Sequence, residues 1–246
     1  MIINNKEVFN KLPDAILFDT DNTLYEYAPA HKAGMDAVQS KIVSLFSITN
    51  KEFINAFDAS KKIVKKRLGY TAASHNRLLY FQGMLEMLGL GSQVLLALDF
   101  EQTYWRAFLN KAVLFSGLKS LLDDLRSLEI PTAIVTDLTA QIQFRKLVYF
   151  DLEHCFDYIV TSEEAGADKP DAAPFKLAID KIQPKGNDIW MIGDNHFTDM
   201  QGAYNSISAL TFFKKHKGTF LEPRLKKPDI IFNNFNELKK MIKKIR

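Results

Sequence analysis

Residues 15–24 read Ala15-Ile16-Leu17-Phe18-Asp19-Thr20-Asp21-Asn22-Thr23-Leu24, an apolar run that stops on two aspartates separated by one residue. A short apolar run with little polar alternation suits a strand covered on both faces of a parallel sheet. In extended chain, residues two apart project to one side, so Asp19 and Asp21 face a common point just beyond the strand. Ligands of open α/β sheets bind at that carboxyl edge. Taken alone, an Asp-x-Asp is more simply an Asx turn satisfying backbone amides. Its meaning depends on the rest of the chain.

Similar runs recur at Thr132–Val135, Tyr158–Val160, Ile189–Ile192, Ala209–Phe213 and Ile230–Phe232. Between them lie segments with helical spacing. Leu118, Leu121, Leu122, Leu125 and Leu128 form one stripe before the Glu129-Ile130-Pro131 break; Phe175, Leu177, Ala178 and Ile182 form another, ended by Pro184 and Gly186. Alternating strand and helix predicts an α/β fold, a parallel sheet with right-handed crossovers.

One interval breaks the alternation. From Tyr25 to Phe115 there are only helical patterns. Asn50 is the expected cap of a helix containing Phe53, Ile54 and Phe57, with Gly69, Gly89 and Gly91 as turns or helix ends. About 90 residues is far too long for a single crossover, so an all-α domain inserted into the α/β domain is expected.

Composition narrows the function classes. With 246 residues, 47% hydrophobic and 25% charged, the chain has the balance of a folded globule rather than a disordered one. A net charge of +3 does not single out nucleic acid as a partner. The Lys61–Arg67 and Lys239–Arg246 runs alternate with apolar residues and read as solvated helix faces. Cys155, the only cysteine, makes neither an internal disulfide nor a cysteine metal cluster. No stretch approaches the ~20 apolar residues of a membrane span, and the first 15 residues carry no signal-peptide pattern. The expectation is a soluble cytoplasmic protein, monomer or homodimer, with no membrane or nucleic-acid partner.

Three further segments end or follow predicted strands in polar residues. Val135-Thr136-Asp137 offers a hydroxyl and backbone amides to an anionic oxygen, although Thr136 is equally an ordinary helix cap. Asp168-Lys169-Pro170-Asp171 precedes a helix and offers a compact positive charge for a phosphate; alone, Lys169 reads as an exposed loop lysine. Ile192-Gly193-Asp194-Asn195, with Asp199 five residues after Asp194, can direct oxygen ligands at a hard cation, or form a Gly-Asp turn with a capping aspartate.

Taken in order, these four segments resemble the haloacid dehalogenase-like hydrolase superfamily. Asp19-Thr20-Asp21-Asn22-Thr23 is similar to its first motif, Thr136 to its second, Lys169-Pro170 to its third, and Gly193-Asp194-Asn195 through Asp199 to its fourth. The resemblance spans Ala15 to Phe213 and includes residues 159–171. It implies a Rossmann-like catalytic core over residues 1–24 and 115–246. Residues 25–114 fall where one subgroup of the family carries an α-helical cap.

By that resemblance Asp19 is the nucleophile that forms an aspartyl-phosphate. Asp21 protonates the leaving alkoxide and then deprotonates the attacking water. Thr136, Asp137 and Lys169 contact the transferring phosphoryl group. Asp19, Asp194 and the main-chain carbonyl of Asp21 hold Mg²⁺, with Asp199 supporting that shell. Asp137 stands where many members carry asparagine; it adds a negative charge unless it turns away or caps the next helix. Asp21 argues against dehalogenation, since a departing halide needs no proton.

The implied activity is hydrolysis of a small phosphomonoester, such as a sugar phosphate, phosphoglycolate or nucleoside monophosphate. A phosphomutase and a catalytically idle binding protein on the same fold are the alternatives. A mutase would release phosphate slowly and need a bisphosphate activator. An idle protein would lack one of Asp19, Asp21, Lys169 or Asp194, and all four are present. Candidate specificity residues are Tyr25, Tyr27, His31, His75, Asn76 and Arg77. A surface or helix-capping role is the simpler one for His31 and His75, and a cap salt bridge is an alternative for Arg77. Phe53, Phe57, Tyr80, Phe81, Tyr104, Trp105 and Phe108 read as cap core, and His196 as a cleft residue that is not a ligand.

Overall fold

The computed structural model describes residues 1–9 and 11–245. Seven strands form one sheet: β1 (Ile2–Ile3), β2 (Ala15–Phe18), β3 (Thr132–Thr136), β4 (Tyr158–Thr161), β5 (Ile189–Gly193), β6 (Leu210–Lys214) and β7 (Ile230–Phe232). Their order is β1-β7-β6-β5-β2-β3-β4. All pairs are parallel except β1 with β7, where Ile2 faces Ile231 and Ile3 faces Ile230. β1 lies outside the predicted strands. It is a two-residue exposed edge with no periodicity to read, and it is defined only by its partner at the other end of the chain.

The chain divides into two compact units, Met1–Glu26 with Leu114–Arg246, and Tyr27–Val113. In the second unit every long element is helical: α1 (Tyr27–Leu45), α2 (Asn50–Leu68), α3 (Arg77–Met87) and α4 (Val94–Lys111). α1 packs on α4 and α2 on α3. A Cβ on Gly34 would stand 2.7 Å from the Tyr104 ring, so glycine is what lets α1 come this close to α4. The aromatics Phe53, Phe57, Tyr80, Phe81, Tyr104, Trp105 and Phe108 are all buried, each contributing about 2 kcal/mol by leaving water. The cap of α2 is Thr49 rather than Asn50: the Thr49 side chain accepts from Glu52 N–H, and Glu52 reaches back to the Thr49 N–H. That reciprocal pairing satisfies two otherwise orphaned donors, whereas Asn50 is already helical. Gly69, Gly89 and Gly91 all have positive φ, at 62°, 75° and 68°.

In the sheet unit the helices are α5 (Leu118–Ser127), α6 (Ala140–Tyr149), α7 (Ser162–Ala165), α8 (Ala172–Ile182), α9 (Gly202–Ile207) and α10 (Phe235–Ile245). Strand alternation divides the apolar residues between two faces. Ala15, Leu17, Ala133, Val135, Val160, Met191 and Phe213 join Phe175, Ala178 and Ile182 of α8 and Ala203 of α9 in one core. Ile16, Phe18, Ile134, Trp190, Ile192 and Phe212 are buried on the alternate positions. On this side α5 buries Leu118, Leu121, Leu122 and Leu125, and α10 buries Phe235, Leu238, Met241 and Ile242; the two helices pack on each other. Lys240, Lys243 and Lys244 lie outside that buried stripe; Arg246 lies outside the described residues. No described helix is long and apolar enough to cross a membrane.

The topology has a direct consequence for the site. β2 is central, flanked by β5 and β3, so the segments that follow Phe18, Thr136 and Gly193 leave the same edge side by side. The chain moves from β2 to β3 and β4 on one side and resumes with β5 on the other. That reversal is where open α/β sheets place their ligands.

Candidate active site

Asp19 follows β2 directly, and its backbone N–H still bonds Ile192 O of β5 at 2.9 Å. The chain then turns tightly: Thr23 and Leu24 N–H groups reach Thr20 O, and Asn22 adopts φ 63°, a left-handed conformation that asparagine tolerates. This turn returns the Thr23 hydroxyl to Asp19 Oδ2 at 2.9 Å. On the other oxygen, Lys169 Nζ donates to Asp19 Oδ1 at 2.7 Å. The same ammonium donates to Asp199 Oδ1, also at 2.7 Å. Lys169 is therefore not an exposed loop residue, since its side chain is only 2% exposed.

Asp19, Asp194 and Asp199 bring one carboxylate oxygen each within 4.8 Å of one another. Burial first, with Asp199 and Asp21 adding to it against the pull of Lys169, lifts the Asp19 carboxyl to about 6. Burial likewise raises Asp194 and Asp199. Burial pulls the Lys169 pKa down, but Asp19, Asp199 and Asp137 outweigh it and hold the ammonium charged. One ammonium, bonded to Asp19 and Asp199, stands beside a cluster of three carboxylates of which Asp19 and Asp199 are buried and Asp194 is partly so. Hard oxygen donors in that balance fit a divalent cation such as Mg²⁺.

Gly193 makes this approach feasible: a Cβ there would lie 2.4 Å from Asp199 Oδ2. Asp199 sits in a π-helical turn (His196–Gln201) after β5, and its Oδ2 accepts the Asn195 N–H at 3.0 Å. Turns of this kind bulge a helix locally and are frequent at functional sites.

The remaining predicted residues take distinct places. Thr136 does not cap α6, whose cap position is Thr139. Its hydroxyl bonds Thr20 Oγ1 at 2.7 Å and accepts from Gln143 Nε2 at 2.8 Å, tying β3 to the Asp19 loop. Asp137 does not cap α6 either; its Oδ1 accepts the Lys169 N–H at 2.9 Å, and burial raises its pKa. Asp21 stands apart from the carboxylate cluster: its Oδ1 takes Lys146 Nζ at 2.6 Å and the Tyr25 hydroxyl. Tyr25 is 1% exposed, so its ring is committed to this internal contact, not open to a substrate as expected. His196 accepts Glu222 N–H at Nδ1 and reaches Lys226 O through Nε2, which ties the ring to the 222–226 segment.

The family profile described as haloacid dehalogenase-like hydrolase matches residues 14–209. The chain belongs to the haloacid dehalogenase-like hydrolases. It is 35% identical over 190 residues to the ribulose-1,5-bisphosphate 5-phosphatase of Halopiger xanaduensis, covering 77% of this chain and 80% of that protein. It is 25% identical to the glyceraldehyde 3-phosphate phosphatase of Methanothermobacter thermautotrophicus, covering 78% and 81%. In fold it is similar to a hydrolase of the family from Bacillus subtilis solved with magnesium bound, with a TM-score of 0.69 and 19% identity over 93% and 97% of the two chains.

Three polar residues of this family member escaped the reading by motif. Lys146 and Gln143 lie on the buried side of α6 with Ile142 and Leu147; a lysine at i+4 from Ile142 and i−4 from Phe150, on the face meant for apolar residues, was the available signal. His216 bonds Asp194 Oδ2 through Nε2 at 3.0 Å, and that bond raises its pKa. No sequence spacing connects it to Asp194.

In the helical unit His31 is neither a surface residue nor a cap. Its Nδ1 bonds the Tyr104 hydroxyl at 2.7 Å and its ring stacks on Tyr27. Arg77 bonds His75 O at 2.6 Å and the Tyr27 hydroxyl, and its guanidinium lies about 5.5 Å from the Tyr80, Tyr104 and Trp105 rings. His75 ends a short 3-10 turn, and Asn76 caps α3 by accepting Leu78 N–H.

Burial, reinforced by Arg77, lowers the His31 pKa from 6.5 to about 4. The unfolded chain therefore takes up this proton first as pH falls. Stability that is complete above pH 6.5 is lost progressively down to about 4, by about 2 kcal/mol once solvent screening of the part-exposed ring is allowed for. Denaturant unfolding from pH 7 to 4 should show wild type losing that much more than His31→Gln; parallel profiles would contradict a neutral His31.

Proposed function

We propose that the protein is a Mg²⁺-dependent phosphatase that hydrolyses a small sugar phosphate through an aspartyl-phosphate on Asp19. One observation carries this reading: Asp19 is gripped through both oxygens, by Lys169 and Thr23, beside Asp194 and Asp199. A carboxylate attacking a phosphate dianion meets charge repulsion, and a buried ammonium plus a divalent ion is what offsets it. Asp19, Asp194 and the Asp21 main-chain carbonyl would hold Mg²⁺, with Asp199 supporting them; the ion supplies charge neutralisation.

In the first step an Asp19 oxygen bonds phosphorus, the ester P–O bond breaks, and the leaving alkoxide takes the Asp21 proton. In the second, water attacks phosphorus, Asp21 takes its proton, and the acyl-phosphate P–O bond breaks to free Asp19 and phosphate. Most of the barrier reduction in such transfers comes from alignment and charge stabilisation. Lys169 and the Thr136 and Asp137 segment are assigned to the phosphoryl oxygens, while the Asp137 carboxylate anchors the Lys169 backbone. The helical unit, inserted between β2 and β3, is assigned as the cap that selects substrate.

The sugar-phosphate class is taken from the named phosphatase relatives, Mg²⁺ from the donor set, and a cytoplasmic location from the single cysteine. A panel containing ribulose 1,5-bisphosphate, glyceraldehyde 3-phosphate and other phosphomonoesters, scored by phosphate release, tests the reading. Release is expected with Mg²⁺, to stop with EDTA, and to resume when Mg²⁺ is restored. Activity indifferent to chelation would remove the metal role; no release from any member would remove the phosphatase reading.

A further inference from the structure

We propose that Lys146 is a positioning residue that orients the Asp21 carboxyl group for proton delivery to the leaving oxygen, an assignment that rests on the phosphatase reading above. Lys146 projects from α6 toward the protein interior, between Ile142 and Phe150 on the same helical face, and its side chain is 3% exposed. An ammonium in such a place forfeits its hydration, a cost of several kcal/mol unless a specific partner replaces the water. The partner is Asp21 Oδ1 at 2.6 Å, across 125 positions of sequence. The Tyr25 hydroxyl donates to the same oxygen, and the ammonium lies 5.8 Å from the Tyr25 ring centroid.

Two donors on one oxygen restrict rotation of the carboxyl group, which at 35% exposure is otherwise open to solvent on one side. The Asp19, Asp194 and Asp199 cluster has its own lysine, Lys169. Each member of the Asp-x-Asp pair is thus held by a different buried lysine, Asp19 by Lys169 and Asp21 by Lys146. For Asp21 the value of a fixed orientation is directional: the proton must lie on the line to the departing oxygen when the ester bond breaks.

That role separates substrates by their leaving groups. An alkoxide needs the proton, whereas p-nitrophenolate departs as a stable anion without it. The test measures kcat/KM of wild type, Lys146→Met and Lys146→Gln on p-nitrophenyl phosphate and on the alkyl phosphate that turns over fastest in the panel. For both variants the alkyl value is expected to fall about 100-fold, the scale of lost general-acid catalysis, with the p-nitrophenyl value within about twofold of wild type. Both substrates are assayed on one preparation, so a poorly folded fraction lowers both equally and cancels in their ratio. Equal falls on both substrates would overturn the assignment in favour of a structural or phosphoryl-binding role, and no fall on either would overturn it outright. A wild-type chain inactive on every phosphate would instead remove the phosphatase reading on which it stands.

Discussion

Asp19→Asn is expected to abolish phosphate release, by about 10⁴-fold or more, while leaving the protein folded. The size follows from the role: without a nucleophile there is no covalent route, and the surrounding groups act as a unit that keeps little residual activity once one member is gone. The fold survives because asparagine has the same shape and removes a charge the site resists. Burial and the neighbouring Asp199 raise the Asp19 carboxyl to about 6, so the folded state favours its protonated form. Stability tied to Asp19 is therefore complete at low pH and declines as pH rises from about 4 to about 6, sparing a neutral side chain. Phosphate release measured with Mg²⁺, and thermal unfolding measured without added divalent ion, should show lost activity with an unchanged or raised midpoint. Turnover by the variant would exclude Asp19 as nucleophile.

Lys169→Met is expected to lower turnover by about 10³-fold, the scale of removing one preorganised electrostatic contact from a transition state. Unlike Asp19→Asn, it should also weaken the fold. The Lys169 ammonium lies 2.7 Å from both Asp19 Oδ1 and Asp199 Oδ1, and all three groups are buried. Methionine keeps the stem but leaves two carboxylates facing each other without compensation, a loss of about 3 kcal/mol. Divalent cation should recover part of that stability, because it offsets the same charge, yet it should not restore the rate. Denaturant unfolding with and without Mg²⁺ measures this. Stability equal to wild type in the metal-free protein would contradict the ammonium's part in holding the carboxylates together.

The contrast between these two residues shows where sequence reading succeeds. Asp19, Thr136 and Asp194 end or directly follow apolar strand runs, which puts them at one edge of a parallel sheet; Lys169, beyond β4 and α7, reads alone as an exposed loop lysine and gains its meaning only from its order among the other segments. Their partners are a different matter. Lys146 reaches Asp21 and His216 reaches Asp194 across 125 and 22 positions, distances over which periodicity carries no information. Asp137 reads as a phosphoryl contact whose charge is kept off the site only if it turns away or caps the next helix; its bond to the Lys169 backbone is not legible, because it depends on how two loops meet. His31 reads as a surface histidine because Tyr104, whose hydroxyl its Nδ1 bonds, lies 73 positions away. The capping of α2 by Thr49 is legible, with Glu52 three residues on; Asn50 lies one position inside the helix. β1 was not legible, because two isoleucines have no pattern until β7 pairs with them.

The most direct measurement is acid quench of the enzyme during turnover of its fastest substrate with Mg²⁺, followed by digestion and mass spectrometry of the peptide containing Asp19. Transient phosphorylation is expected on Asp19, present during turnover, removed by hydroxylamine and absent from Asp19→Asn. Phosphate released with no modified peptide at any quench time, or a phosphoryl group on a different residue, would contradict covalent catalysis by Asp19.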